Sequence, residues 1–425
     1  MVRPLRRAAG LLLAAACTRS PTPARAPAEA PAQATAPAAR TTAPAVASLI
    51  RPSSPGQPPR QSEGVRPRPS PCLPDEPYAA PSALSEEALD ALDGGDSEHA
   101  LGCADEALRI APRLVSALAA RGGALAASGK LDDARLAFAR ALAIDPDDPR
   151  ALLGAAELYV RRLGGARDAL EAGLEYAVRG ARAAGRPPHK AGELAARLEL
   201  LAGIAENDLG RSHLALGHLD RAVAGRPEDA DAVYERGVAL FELCRFDEAQ
   251  RAFERALALA PDDAWTLHQL GLLAERRGDA KRADALLAKA RALAPADFKP
   301  ELALDEKAFR AEVEAAVAAL PEPERKALAL APVEIQDLPA PDDLLAVDPP
   351  LSPSILGLYR GPAEDEPCTT ADGPRCRSIV FYRKNLVRFA RDRGELTDQV
   401  RVTLLHELGH LHGESDDELR DRGLE

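Results

Sequence analysis

Between about residues 81 and 297 apolar positions recur at helical spacing, and that recurrence is itself periodic. Helical stretches end at Pro112 and Pro146, then at Pro227, Pro261 and Pro295, and within each group the prolines stand 34 residues apart. Ala100, Ala134, Ala215, Ala249 and Ala283 lie twelve residues before these prolines, and Ala107, Ala141, Ala222, Ala256 and Ala290 lie five before them. Gly122, Gly203, Gly237 and Gly271 precede theirs by 24, while Phe138, Phe253 and Leu287 fill a larger position four after the first alanine. The pattern predicts two antiparallel helices per unit, crossing closely over small side chains, with proline stopping the second helix. Units fall at 81–114, 115–148, 196–229, 230–263 and 264–297. The 47 residues 149–195 read as one more unit, with about a helical turn and a loop added near Gly185-Arg186-Pro187-Pro188.

This 34-residue pattern resembles the tetratricopeptide repeat. The resemblance implies an all-α solenoid over 81–297 whose concave face takes a protein or peptide partner; a spacer or packing partner for the next domain is the alternative. His99, His189, His213, His218 and His268 are scattered through the array with no ligand spacing, and are expected to be surface or packing residues.

From about residue 300 the period is lost. Lys307 to Leu320 reads as an amphipathic helix, with Phe309, Val313, Val317 and Leu320 on one face. Short β-like runs follow at Val333–Ile335, Ile355–Tyr359 and Ser378–Tyr382, then a helix from about Lys384 to Asp392 and a last helix from about Thr397 to His412. Residues 300–425 are thus expected to form a small α+β domain.

That last helix carries the candidate chemistry. His406 and His410 are four apart, which puts both imidazoles on one face where they can clasp one ion. Glu407 projects beside that face and can take the proton of a water acidified by the metal. Gly413 can turn the chain so that Asp416 swings back as third ligand, and the run from His406 to Asp416 fits H-E-x-x-H-x-x-G-x-x-D. Asp417 is the runner-up, His412 points to another side of the helix, and Glu414 and Glu418 stay open. Tyr359, Tyr382 and Arg383 are candidate oxyanion donors.

Residues from about 305 to 425 resemble a family of small bacterial zincin-like metallopeptidase domains, through this motif and through Ala318-Ala319-Leu320-Pro321, Asp337-Leu338-Pro339, Leu356 to Gly361 and Ile379 to Arg383. The resemblance implies a minimal zincin fold, one Zn2+ held by His406, His410 and Asp416, and Glu407 as general base. Larger metzincins set a methionine turn beneath the metal, but the one methionine here is Met1.

The N-terminus adds an address. Arg3, Arg6 and Arg7, an apolar run from Ala8 to Ala16 and then Cys17 resemble a bacterial lipoprotein signal over residues 1–17, which implies lipidation of Cys17. Ordinary cleavage after Ala16 is the alternative. Sixteen of the 37 prolines lie between Pro21 and Pro81, so 18–80 reads as a Pro/Ala-rich disordered tether. At roughly 3 Å per residue it would reach on the order of 100–200 Å. In an exported protein Cys368 and Cys376 could be bridged, whereas Cys103 and Cys244, inside repeat helices, are expected to be packed side chains. A net charge of −12 with no basic face argues against nucleic acid as a partner.

Together these features suggest an exported, lipid-anchored zinc metallopeptidase of the cell envelope (outer membrane or periplasm), with the repeats recruiting a protein substrate or partner. The alternative is an envelope interaction scaffold whose zinc site is structural or inactive. Peptidoglycan hydrolysis would use the same chemistry.

Overall fold

The computed structural model describes Cys72 and residues 79–186, 192–368 and 376–424. Helices pair in sequence order: α1 (Pro81–Asp93) with α2 (Ser97–Ile110), α3 (Val115–Ala127) with α4 (Leu131–Ile144), and α5 (Pro149–Glu157) with α6 (Arg167–Ala184). They continue with α7 (Gly192–Asp208) and α8 (Ser212–Gly225), α9 (Ala230–Glu242) and α10 (Phe246–Leu259), α11 (Ala264–Arg276) and α12 (Ala280–Leu293). Asp96, Asp148, Asp229, Asp263 and Asp279 each cap a helix N-terminus by accepting a backbone N–H, which fixes where those helices begin.

The crossing points follow the small-residue pattern. A Cβ on Gly237 would lie 2.6 Å from the Phe253 ring, and one on Gly122 would lie 2.7 Å from Phe138. The ring of the second helix therefore rests on bare backbone of the first. The irregular unit differs in detail from its expectation. Its extra length is placed partly in a π-helical turn, Leu158–Arg162, that continues α5, and partly in the 18 residues of α6. A loop insertion is thus only part of it, and residues 187–191 lie outside the described ones.

The C-terminal part contains α13 (Glu306–Ala318), α14 (Glu322–Ala327), β1 (Val333–Gln336), α15 (Pro341–Leu344), β2 (Gly357–Arg360), β3 (Ser378–Tyr382), α16 (Arg383–Phe389), α17 (Arg393–Leu411) and α18 (Asp416–Asp421). The sheet order is β1-β3-β2, with β1 parallel and β2 antiparallel to the central strand. Alternation along the strands sorts the side chains to two faces. Ile379, Phe381 and Tyr359 join the core made by Phe309 and Val313 of α13 and by Leu396, Val400, Leu404 and Leu408 of α17. Leu358, Val380 and Tyr382 form a second cluster with Leu344, Leu351 and Ile355. Helix α17 starts four residues earlier than expected, because Asp392 caps it by accepting from Glu395 N–H, which leaves Gly394 in its first turn. Buried Glu312 of α13 ties the two helices by binding Arg393 at 2.7 Å and Thr397 at 3.1 Å. Among the described residues no helix is long and apolar enough to cross a membrane.

Candidate metal centre

The motif residues sit at the C-terminal end of α17, where His406, Glu407 and His410 are all buried. Gly413, at φ 84, reverses the chain as the sequence suggested, and Ser415 then opens α18 with a capping box that fixes Asp416 as its first residue. The outcome is a triangle of donor atoms. His406 Nε2 and His410 Nε2 are 3.1 Å apart, and Asp416 Oδ1 is 3.6 Å from the first and 3.3 Å from the second.

The other ring nitrogens set the protons. His406 Nδ1 is 2.6 Å from the Leu424 carbonyl and His410 Nδ1 is 3.0 Å from the Glu414 carbonyl, so each Nδ1–H donates to backbone and each Nε2 keeps its lone pair. Two lone pairs and a buried carboxylate oxygen without a hydrogen bond thus converge on one point. A cation resolves that repulsion. Donors at about 2.0–2.1 Å from a tetrahedral zinc stand about 3.3 Å from one another, which the three measured edges match. The residues therefore fit the ion.

Charge at the site follows from the same geometry. Burial works to raise the Asp416 carboxyl, yet the two imidazoles bring it down to about 2. Burial works to lower His406, but Asp416 and Glu407 outweigh it and the imidazole is raised. Burial raises Glu407 above the usual carboxylate range. Glu407 Oε2 accepts a 2.6 Å hydrogen bond from Tyr359 N–H, while Oε1 is buried without a partner.

Residues 328–424 match the family model of zincin-like metallopeptidases. The C-terminal unit is a zincin-like metallopeptidase domain. It follows tetratricopeptide repeats, matched at 85–149 and 230–263. Solved structures similar to the repeat array include PilF of Pseudomonas aeruginosa, 17% identical, TM-score 0.43, covering 51% of this chain and 92% of that one. PilW, a type IV pilus biogenesis factor, is 20% identical with a TM-score of 0.43, covering 54% and 97%. YrrB, described as a tetratricopeptide-repeat protein with an unusual peptide-binding site, is 21% identical with a TM-score of 0.36, covering 45% and 92%. No curated protein matches the chain.

Within the zincin-like domain the alternative third ligands are engaged elsewhere. Asp417 is exposed and pairs with Arg420 at 2.6 Å, and Glu414 pairs with Arg422. Glu418 completes the capping box, and His412 lies 3.0 Å from Glu364. The three candidate oxyanion donors are likewise occupied. Tyr359 O–H donates to the Pro362 carbonyl, Arg383 binds Asp337 and the Leu304 carbonyl, and Tyr382 faces the second cluster and donates to Asp343 at 3.2 Å. Tyr382 is thus on the far side of the sheet from α17, a consequence of strand register that spacing alone does not reveal.

Cys368 and Cys376 are disulfide-bonded, closing the connection from β2 to β3. Cys103, expected to be a simple packed side chain, is instead bonded to Cys72, and the pair packs against Leu84 and Ala88 of α1. Cys72 lies in the proline-rich leader, where nothing in the pattern marks a partner. Cys17 lies outside the described residues.

Proposed function

We propose that this chain is a zinc-dependent peptidase of the cell envelope, with zinc held by His406, His410 and Asp416 and with Glu407 as general base. The observation that carries the reading is the buried, unpartnered Oε1 of Glu407 beside three convergent metal-binding atoms. A structural site has no use for an additional carboxylate kept free of partners. Bound zinc supplies Lewis acidity toward a water and a peptide carbonyl. Glu407, fixed through Oε2 by Tyr359 N–H, receives the water's proton at Oε1 and passes it to the departing amide nitrogen.

The repeats recruit the protein substrate or a partner. Two bonded cysteine pairs suit an oxidising compartment, which supports export, and Cys17 is the proposed lipid attachment point. The test combines zinc analysis of the purified full chain with hydrolysis of an unstructured protein. One zinc per chain is expected, together with activity abolished by chelation and by Glu407→Gln, the latter with zinc retained. A chain that holds no zinc, or a Glu407→Gln variant that cleaves as well as the parent, would sink the proposal.

A further inference from the structure

The turn inside each repeat unit is closed by a residue seventeen positions before the unit's proline. Gly95, Gly129, Gly210 and Gly278 fill that position with φ of 84, 76, 74 and 76. In the fifth regular position of this kind, between α9 and α10, stands Cys244 with φ 57, the one non-glycine residue in that region among those described. A side chain is strained in this conformation, and such strain persists where its surroundings require the side chain. The surroundings here are not the array. Cys244 Sγ lies 3.6 Å from the Leu351 carbonyl, and with Phe246 it packs on the cluster of Leu344, Leu351, Ile355, Leu358, Val380 and Tyr382 behind the sheet.

The next unit adds charge. Glu275, near the end of α11, has a side chain only 12% exposed and receives Lys384 Nζ at 3.1 Å on one oxygen and Arg388 Nη2 at 2.9 Å on the other. Those two cations stand one turn apart on α16. Arg276 donates to the Pro339 carbonyl at 2.9 Å. Glu275 and Arg276 belong to a first helix of a unit, and Cys244 directly follows another. Cys244, Glu275 and Arg276 therefore all lie where a first helix ends and the chain turns into the second, on one edge of the array.

We infer that the edge of the last two repeat units formed by the C-terminal ends of α9 and α11 is the docking surface for the chain's own zincin-like domain, recognised through Cys244 and Glu275, and that the two are held as one body. The docked thiol is also protected: burial raises Cys244 to about 11, which leaves little reactive thiolate.

The test is alkylation of the native full chain by N-ethylmaleimide, read by mass spectrometry at the Cys244 peptide. Cys244 should react at least about tenfold more slowly than in the denatured chain. Glu275→Lys should abolish most of that protection, and adding Lys384→Glu to it should restore much of it, whereas Arg388 is left unchanged because it also pairs with Glu301 at 3.1 Å. If the reversal unfolds the chain, as helical circular dichroism would show, Glu275→Gln carries the same test with a smaller acceleration. Equal labelling of parent and variant, or no recovery in the charge-swapped chain, overturns the inference. Neither readout depends on zinc or hydrolysis, so it stands or falls separately from the peptidase reading.

Discussion

The backbone N–H of Tyr359 reaches Oε2 of Glu407 at 2.6 Å, across 48 residues of sequence, and so orients this carboxylate of α17 from the edge strand β2. The strand can come this close because residue 357 is glycine. A Cβ there would lie 2.5 Å from Thr403 Cγ2 and 3.0 Å from Glu407 Oε1. Gly357→Ala is therefore expected to push β2 from α17 and turn the carboxylate. Overpacking of this kind costs about 1–3 kcal/mol. Zinc affinity should stay within a few-fold while kcat falls about tenfold or more, as metal titration beside steady-state kinetics would show. An unchanged kcat would mean that β2 does not position Glu407.

Asp416 and Asp417 are adjacent in sequence but separated in role by the first turn of α18. Asp416 is directed at both imidazoles, whereas Asp417 is directed at Arg420. Asp416→Ala should weaken zinc binding by about 100-fold or more, since even partners one layer removed from a metal contribute about 10–100-fold. Asp417→Ala should leave it within about twofold. Competition against a chromophoric chelator measures both, and equal losses would remove Asp416 from the ligand set.

The repeat and the meeting of His406, His410 and Asp416 were legible for the same reason: each is written in short-range spacing that a helix converts directly into geometry. Gly122, Phe138 and Pro146 mark a crossing because sixteen residues bring the ring back over the glycine. His406 and His410 share a face because they are one turn apart. What spacing could not supply was anything set by long-range packing. Cys72, outside the periodic array, finds Cys103 in α2 across 31 residues. Tyr382 points away from His406 and His410 because β3 is the central strand and its pleat assigns that residue to the far face. Cys244 resembled one more packed thiol until its φ and its neighbour Leu351 were known. A departure from glycine at a position that is glycine in four other turns was the available signal.

Packing in the array yields a paired prediction. Gly237 and Gly217 both lie in helices, but the first faces the Phe253 ring at 2.6 Å and the second has only the end of Arg221 within reach, at 3.8 Å. Gly237→Ala should destabilise the array by about 1–3 kcal/mol through overpacking. Gly217→Ala should be neutral or stabilise by up to about 1 kcal/mol through helix propensity. Urea denaturation followed by helical circular dichroism compares them, and a shift of the same sign in both variants would contradict the crossing geometry.

His268 provides a handle on acid stability. Its ring stacks on Phe298, with centroids 4.6 Å apart, and burial reinforced by Arg388 of α16 and Arg291 of α12 lowers it to about 3. An unfolded histidine titrates near 6.5. Between these values the unfolded chain binds a proton that the folded chain excludes, so the contribution is fully present above about pH 6.5 and is lost as pH falls toward 3. The slope is at most about 1.4 kcal/mol per pH unit. His268→Gln removes the titrating group but leaves Asp416, His406 and the other carboxylates unchanged, so the difference between the two chains isolates this site. The variant should be less stable than the parent at pH 7.5, where stacking is lost, and the gap should narrow or reverse by pH 4.5. Denaturation midpoints that run parallel from pH 7.5 to 4.5 would show that His268 takes up its proton freely in the folded state.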